Sequence, residues 1–104
     1  MPGEPVLVVS ATAIQQISEI YQHVAANGGI AVADRIYNEM RSMIEDLPIM
    51  PERHASRDHI RPHYRRALVS RWAIYYRFAP PRETIEVVAV LDGAMDVERH
   101  LPPE

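Results

Sequence analysis

Arginines concentrate in the middle of this sequence, where they could bind an anionic group. Residues 53–82 contain eight arginines and a single acid, Asp58, for a net charge of +7. The other 74 residues contain three arginines and 13 acids, and the whole chain carries a net charge of −3. A basic segment within an acidic chain predicts one surface that binds an anionic partner, either nucleic acid or an acidic peptide.

Five side chains of this segment are the candidates for that surface. Arg65, Arg66 and Arg71 flank the turn of a predicted β-hairpin, and Arg77 lies within its second strand. Tyr75 falls on the same strand face as Arg77, and an aromatic ring beside a guanidinium group can stack on a partner. Arg65 and Arg66 point to opposite faces, so only one of them shares a face with Arg77.

Each candidate also has a purely structural interpretation, which the sequence leaves open. Surface arginines commonly form weak ion pairs, in this chain with acids of the predicted helices such as Glu39. Arg77 can pair with Glu86 on the next strand, and Tyr75 can be ordinary half-exposed sheet packing.

Three histidines, His54, His59 and His63, lie near Asp58 in a proline-rich segment. Histidine and aspartate are good metal ligands, but spacings of five and four residues match no zinc motif. We therefore expect solvated loop histidines and no metal site. The absence of cysteine excludes a disulfide scaffold, an iron–sulfur cluster and a thiol nucleophile, and we predict no cofactor.

The amino-terminal half predicts one strand and a helical hairpin. The run VLVV at 6–9 is typical of a strand, and Ser10 or a capping box at Thr12 begins a helix. The Asn-Gly-Gly turn at 27–29 ends it, and a second helix over 30–47 ends before a proline. Part of the core stripe is predicted to continue into a hydrophobic groove. This stripe comprises Ile14, Ile17, Tyr21, Val24, Ile36, Met40, Met43 and Leu47.

The carboxyl-terminal half predicts the rest of a sheet. Residues 48–63 predict a long loop with one helical turn near 55–60, and residues 93–101 predict one or two helical turns. Three strands lie between them, at 64–69, 72–79 and 84–91, and turns at 70–71 and 79–83 connect these strands.

Together these elements predict a single domain over 1–104 of the α+β class. The helical hairpin packs on one face of a mostly antiparallel four-stranded sheet, and a short carboxyl-terminal helix follows. The other face is predicted to be partly open and to carry arginines.

Two strings in this order of elements resemble the RelE/ParE superfamily of toxins from bacterial type II toxin–antitoxin systems. YRRALVSRWAIYYRF (64–78) is similar to the family's central hairpin, in which an arginine-containing strand turns into an aromatic one. IEVVAVLDGAMDVERHL (85–101) is similar to its last strand and short terminal helix. The resemblance covers roughly residues 6–101 and implies the same two-layer fold.

The resemblance implies one of two activities. RelE-like members cleave messenger RNA on the ribosome, which needs an acid, a base and cations, whereas ParE-like members inhibit DNA gyrase by binding. The corresponding nuclease positions hold Leu68, Met95 and Leu101, and the carboxylate of Asp92 would repel a phosphate. The resemblance therefore favours a ParE-like gyrase inhibitor without catalytic residues. It also implies neutralisation by a ParD-like ribbon-helix-helix antitoxin, through a disordered acidic-hydrophobic segment.

Two alternatives remain open at this point. One is a ribosome-dependent endoribonuclease that uses Arg65, Arg71 or Arg77 with His100. The other is an inactive relative that only binds an antitoxin. The sequence lacks a run of 18 apolar residues, and its first residues lack the basic region of a signal peptide, so we expect a cytoplasmic protein.

Overall fold

A computed structural model describes residues 5–78, 84–95 and 97–101. The predicted order of strands and helices is confirmed, and the predicted turn at 79–83 lies outside the described residues. Neither long helix is apolar enough along its length to cross a membrane. The elements are β1 (Val6–Val9), α1 (Ala11–Gly28), α2 (Ile30–Asp46), β2 (Ala55–Ser56), β3 (Tyr64–Val69), β4 (Trp72–Arg77), β5 (Thr84–Asp92) and a 3-10 turn (Val97–Arg99).

The strands form one sheet in the order β1-β5-β4-β3-β2. The prediction of four strands was wrong by one, because β2 is a two-residue strand inside the predicted loop and is too short to show alternation. Ala55 and Ser56 of β2 pair antiparallel with β3. β3, β4 and β5 are antiparallel to their neighbours, and β1 is parallel to β5. The predicted α+β class, with a helical hairpin on a mostly antiparallel sheet, is confirmed.

The helical hairpin is closed by polar and glycine residues at its ends. Ser10, rather than the predicted Thr12 capping box, begins α1: its Oγ accepts a 3.0 Å hydrogen bond from Ala13 N. The same hydroxyl donates to the carbonyl oxygen of Val88 on β5, which fixes the helix start to the sheet. Gly29 alone joins the two helices, with a φ of 93° that glycine adopts without steric cost.

The main core lies between the helices and the sheet, where burial of apolar area supplies most of the stability. Most of the predicted stripe belongs to it or packs against it, but Tyr21 and Ile14, which is 57% exposed, lie outside it. Gln16 Oε1 accepts a hydrogen bond from Val90 N beside the β4–β5 register shift, so α1 also satisfies a strand donor. The core side chains include Ile20, Ile36, Met40, Ile44, Leu47, Trp72, Ile74, Tyr76, Ile85, Val87 and Val90.

The opposite face of the sheet carries a second, smaller core, which corrects the prediction of a partly open face. Tyr64, Tyr75 and Val88 are buried there in one cluster with Leu101, which follows the 3-10 turn. Ile60 of the loop packs against the same cluster. Tyr75 is only 2% exposed, so the expectation of half-exposed packing was also wrong. Residues 97–101 contribute to this face, because Val97 packs against the cluster and Leu101 belongs to it.

The loop after α2 is ordered by backbone hydrogen bonds rather than by a regular helix. The amide nitrogens of Ile60 and Arg61 both donate to the carbonyl oxygen of Arg57, so the single turn spans 57–61 instead of 55–60. Asp58 Oδ1 accepts from His63 N at 2.9 Å, and His63 has a positive φ of 68°. The loop therefore has a defined path beside β3.

Candidate functional site

An apolar groove lies among β1, α1 and α2. It is open to solvent, has a volume of about 810 Å³, and its lining is mostly hydrophobic. The three- and four-residue spacing of apolar side chains on each helix places them along one line of the groove. Its lining residues are Leu7, Val9, Ile14, Ile17, Ser18, Tyr21, Gln22, Asp34, Tyr37, Met40, Arg41, Ile44 and Glu45.

The groove presents apolar surface to solvent at its rim. Ile14 is 57% exposed and Tyr37 is 41% exposed, whereas Met40 at the base is 1% exposed. Exposed apolar side chains around a groove of this kind are typical of protein-binding surfaces. The sequence placed Ile14 in the core because its helical spacing is the same as that of buried neighbours.

The groove carries different charges at its two ends. Towards the turn between the helices, Tyr21 Oη donates a 2.6 Å hydrogen bond to Asp34 Oδ1. That bond raises the pKa of Tyr21. The Tyr21 ring contacts the Tyr37 ring edge-to-face, with the ring centroids 6.2 Å apart. Towards the other end, Arg41 Nε lies 3.7 Å from Glu45 Oε2 and forms an ion pair one helical turn apart.

The strand beside the groove is an edge strand of the described sheet. β1 pairs with β5 on one side, and its other side has no partner among the described strands. Val6 and Val8 are 62% and 41% exposed there. An open edge beside an apolar groove suits a partner that combines backbone pairing with buried side chains.

The basic candidates do not form a single cluster, and Arg65 supports the loop. Arg65 lies on the same face of β3 as Ala67, and this face packs against the helices. Its Nη1 donates to the carbonyl oxygens of Glu52 at 3.1 Å and His54 at 2.7 Å. Arg65 thus satisfies two loop carbonyl groups, a role that no periodicity signal reveals.

Arg66, Tyr75 and Arg77 lie on the opposite face, as their alternation predicts. Arg66 Nη1 contacts the Tyr75 hydroxyl at 3.4 Å, while Tyr75 itself is buried and unable to stack on a partner. Arg77 Nη2 lies 3.6 Å from Glu86 Oε1, which confirms the structural pairing. Both side chains of this pair remain about one third exposed.

Arg71 lies at the tip of the β3–β4 hairpin. Its guanidinium forms an ion pair with Asp92 and lies 5.2 Å from the centre of the Trp72 ring. Hydrogen bonds from Ala94 N and then from Arg71 lower the pKa of Asp92, which keeps it charged. The Arg71 side chain is still 65% exposed, whereas that of Arg77, the other sheet arginine with an ion pair described above, is 34% exposed.

The loop histidines differ in environment. His59 and His63 are exposed, as predicted, but His54 is half-buried and meets Tyr76 edge-to-face at 6.1 Å, which corrects its assignment as solvated. Burial, followed by the nearby charges of Arg53 and Arg65, lowers the pKa of His54. Within the part of the chain that the structure describes, no three histidine or acidic side chains form a group that could hold a metal ion.

The positions that correspond to nuclease residues cannot transfer a proton. Leu68 is 52% exposed on the sheet face away from the helices, and Met95 is 41% exposed after β5. Leu101 is 7% exposed and belongs to the second core. His100 is an exposed residue next to Leu101. The Arg71 guanidinium is paired with Asp92, so it carries little free charge for a phosphate.

Comparisons with known proteins agree with this geometry. The model of a family described as the ParE toxin of the type II toxin–antitoxin system parDE matches residues 7–97. Two proteins called Toxin ParE1, from two strains of Mycobacterium tuberculosis, are 30% identical over 94 residues, which is 90% of this chain and 95% of theirs. A chain from a solved chromosomal ParDE system of P. aeruginosa superposes with a TM-score of 0.72 at 15% identity, covering 86% of this chain and 96% of that one.

Proposed function

Since this chain belongs to the ParE family of toxins of type II toxin–antitoxin systems, we propose that it arrests growth by binding DNA gyrase and that a cognate antitoxin neutralises it. The proposal assigns the toxin a binding surface and no reacting group of its own. Two separate surfaces support it, the arginines of the hairpin and the apolar groove.

The side chains at the positions that correspond to nuclease residues support binding rather than cleavage. General acid–base catalysis needs a titratable group within hydrogen-bonding reach of the reacting atoms. Leu68, Met95 and Leu101 have none, and Asp92 neutralises the nearest exposed arginine. This set of side chains is the observation that favours gyrase inhibition over messenger RNA cleavage.

We assign the target contacts to the accessible arginines of the basic segment. Arg71 at the hairpin tip, 65% exposed beside its Asp92 partner, and Arg66 and Arg77 on the sheet face can donate hydrogen bonds to acceptor groups of the gyrase protein. Arg65 and Tyr75, which were predicted with them, support this surface through the loop carbonyl groups and the second core.

A supercoiling assay with purified gyrase tests the target. We expect micromolar toxin to block supercoiling of relaxed plasmid and to leave messenger RNA intact in a translation extract. Unchanged supercoiling together with cleaved messenger RNA would replace gyrase by the ribosome. Unchanged supercoiling with intact messenger RNA, and no growth arrest on expression, would favour a relative that only binds its antitoxin.

The apolar groove and the β1 edge are the proposed antitoxin site. A disordered segment of a ribbon-helix-helix, ParD-like partner can fold on this surface, burying side chains in the groove and pairing with β1. Expression of the adjacent reading frame tests this partner: we expect it to restore growth and to co-purify with the toxin. Growth arrest that persists despite its expression would contradict the assignment.

A further inference from the structure

We propose that the groove selects a segment with a lysine or arginine at one end, held by Asp34, rather than an acidic segment. This inference rests on the proposed antitoxin site, because it specifies the charge of the segment that binds there. It also reverses the expectation of an acidic-hydrophobic segment, which followed from the resemblance and from the arginine-rich middle of the chain.

The charge distribution of the groove carries the inference. Arg41 and Glu45 neutralise each other at one end. At the other end Asp34 accepts from Tyr21 Oη through Oδ1, and no cation of the described residues lies within ion-pair distance of it. A carboxylate has acceptor sites on both oxygens, so Oδ2 can still accept from an ammonium or guanidinium group.

The charges on the two helices around the groove also favour a cationic segment. Residues 11–46, which form both helices, contain five acids and two arginines, for a net charge of −3. Arg35 and Arg41 are each paired with an acid one turn away. The described arginines of this cluster, within residues 53–77, belong to the loop and the hairpin, and none of them lines the groove. An acidic segment would therefore meet like charge.

The dimensions of the groove set the length of the segment. Ile14 and Gln22 mark its two ends on α1, and a rise of eight residues along the helix is about 12 Å. A partner helix of about two turns has the same length, with apolar anchors three or four residues apart. Its cationic residue would then lie at the end beside Asp34 and Tyr21, nearest the Gly29 turn.

A displayed library of 14-residue amphipathic peptides, selected on the full-length toxin, tests the proposal. Asp34→Asn is the variant, because asparagine keeps an oxygen for the Tyr21 hydroxyl and removes only the charge. Glu19→Gln is the matched control: it removes the same charge from an exposed position of α1 outside the groove. Peptides synthesised from the selected pool give the dissociation constants.

We expect the wild type and Glu19→Gln to enrich peptides with lysine or arginine at one end. The dissociation constant of such a peptide should rise about two- to fivefold in Asp34→Asn, the range of an exposed ion pair. Enrichment of acidic peptides, an unchanged affinity in Asp34→Asn, or no enrichment at all would overturn the inference. Growth rescue by the adjacent reading frame, measured separately, decides whether the antitoxin assignment stands.

Discussion

Tyr76 Oη donates a 2.7 Å hydrogen bond to the carbonyl oxygen of Pro51, and so it ties the middle strand of the sheet to the loop after α2. The Tyr76 ring is fully buried in the main core, and His54 of the same loop lies against its edge. This contact, with the bonds from Arg65 to the loop carbonyl groups, gives the proline-rich loop a fixed position.

Replacing Tyr76 by phenylalanine should lower stability and change its alkaline pH dependence. Loss of the hydrogen bond leaves the Pro51 carbonyl without this donor and costs about 1 kcal/mol of the free energy of unfolding. Burial raises the pKa of Tyr76 from 10.0 to about 12. Between these values the unfolded chain loses the proton first, so the free energy of unfolding falls as pH rises.

Urea unfolding of the wild type and Tyr76→Phe between pH 8 and roughly pH 11 measures both effects, within the range that the shifted pKa defines. Tyr37→Phe is the control, because the Tyr37 ring is 41% exposed in the groove. Equal alkaline slopes for the wild type and Tyr76→Phe would contradict the assignment of the shift to Tyr76.

His54 should make the protein less stable in mild acid. Its pKa lies below the ordinary 6.5 because of burial, then the charges of Arg53 and Arg65. The unfolded chain therefore binds a proton at a higher pH than the folded chain, and the free energy of unfolding falls as pH decreases below about 6.5. His54→Phe, which keeps a ring against Tyr76, should weaken this dependence. The same change at exposed His59 should leave it intact in denaturation curves from pH 7.5 to about pH 5.

Two glycines should respond in opposite ways to alanine. A Cβ at Gly93 would lie 3.0 Å from the backbone oxygen of Arg71, so Gly93→Ala should destabilise the hairpin tip by about 1–3 kcal/mol. A Cβ at Gly28 meets only Val32 at 3.7 Å, and Gly28→Ala should stabilise α1 by about 0.5–1 kcal/mol. Thermal melts of both variants measure the difference; a shift of the same sign would refute the argument from contact distances.

Ile14→Asp should separate antitoxin binding from stability. Ile14 is 57% exposed in the groove, so a polar replacement should change the free energy of unfolding by less than about 0.5 kcal/mol. It would place a charge where an apolar anchor of the antitoxin is proposed, and growth rescue should weaken. Ile20→Ala, at a core position 8% exposed, should instead cost about 2–5 kcal/mol. Full rescue of Ile14→Asp in a growth assay would argue against the groove.

Arg71→Ala should weaken gyrase inhibition if the hairpin tip contacts the target. Arg35→Ala is a matched control, because both side chains are about two thirds exposed and each pairs with an acid. We expect the toxin concentration for half-maximal inhibition of supercoiling to rise at least about fivefold for Arg71→Ala, the effect of one lost interfacial contact. Arg35→Ala should stay close to the wild type, and equal effects of the two changes would place the target surface elsewhere.

Local sequence patterns were enough to predict both long helices, four of the five described strands and the two-layer packing. Helical spacing and the glycine turn predict α1 and α2, and alternation predicts β3 with both its ends, Tyr64 and Val69. These signals depend on neighbours within a few residues, so the sequence alone carries them. The two-residue β2 was not predicted, because its pairing with β3 depends on the folded path of the loop and not on the composition of β2 itself.

Whether a side chain is buried or available depended on tertiary contacts. Tyr75 alternates correctly with Arg77, yet it is buried in the second core, to which Leu101, distant in sequence, also belongs. Ile14 has the spacing of a core residue, but it lies at the rim of the groove, where the described chain leaves it 57% exposed. Periodicity assigns a face, whereas the elements that cover that face come from other parts of the chain. For that reason the two-layer fold follows from sequence, and the groove, the second core and the pairing of each arginine follow only from the folded arrangement.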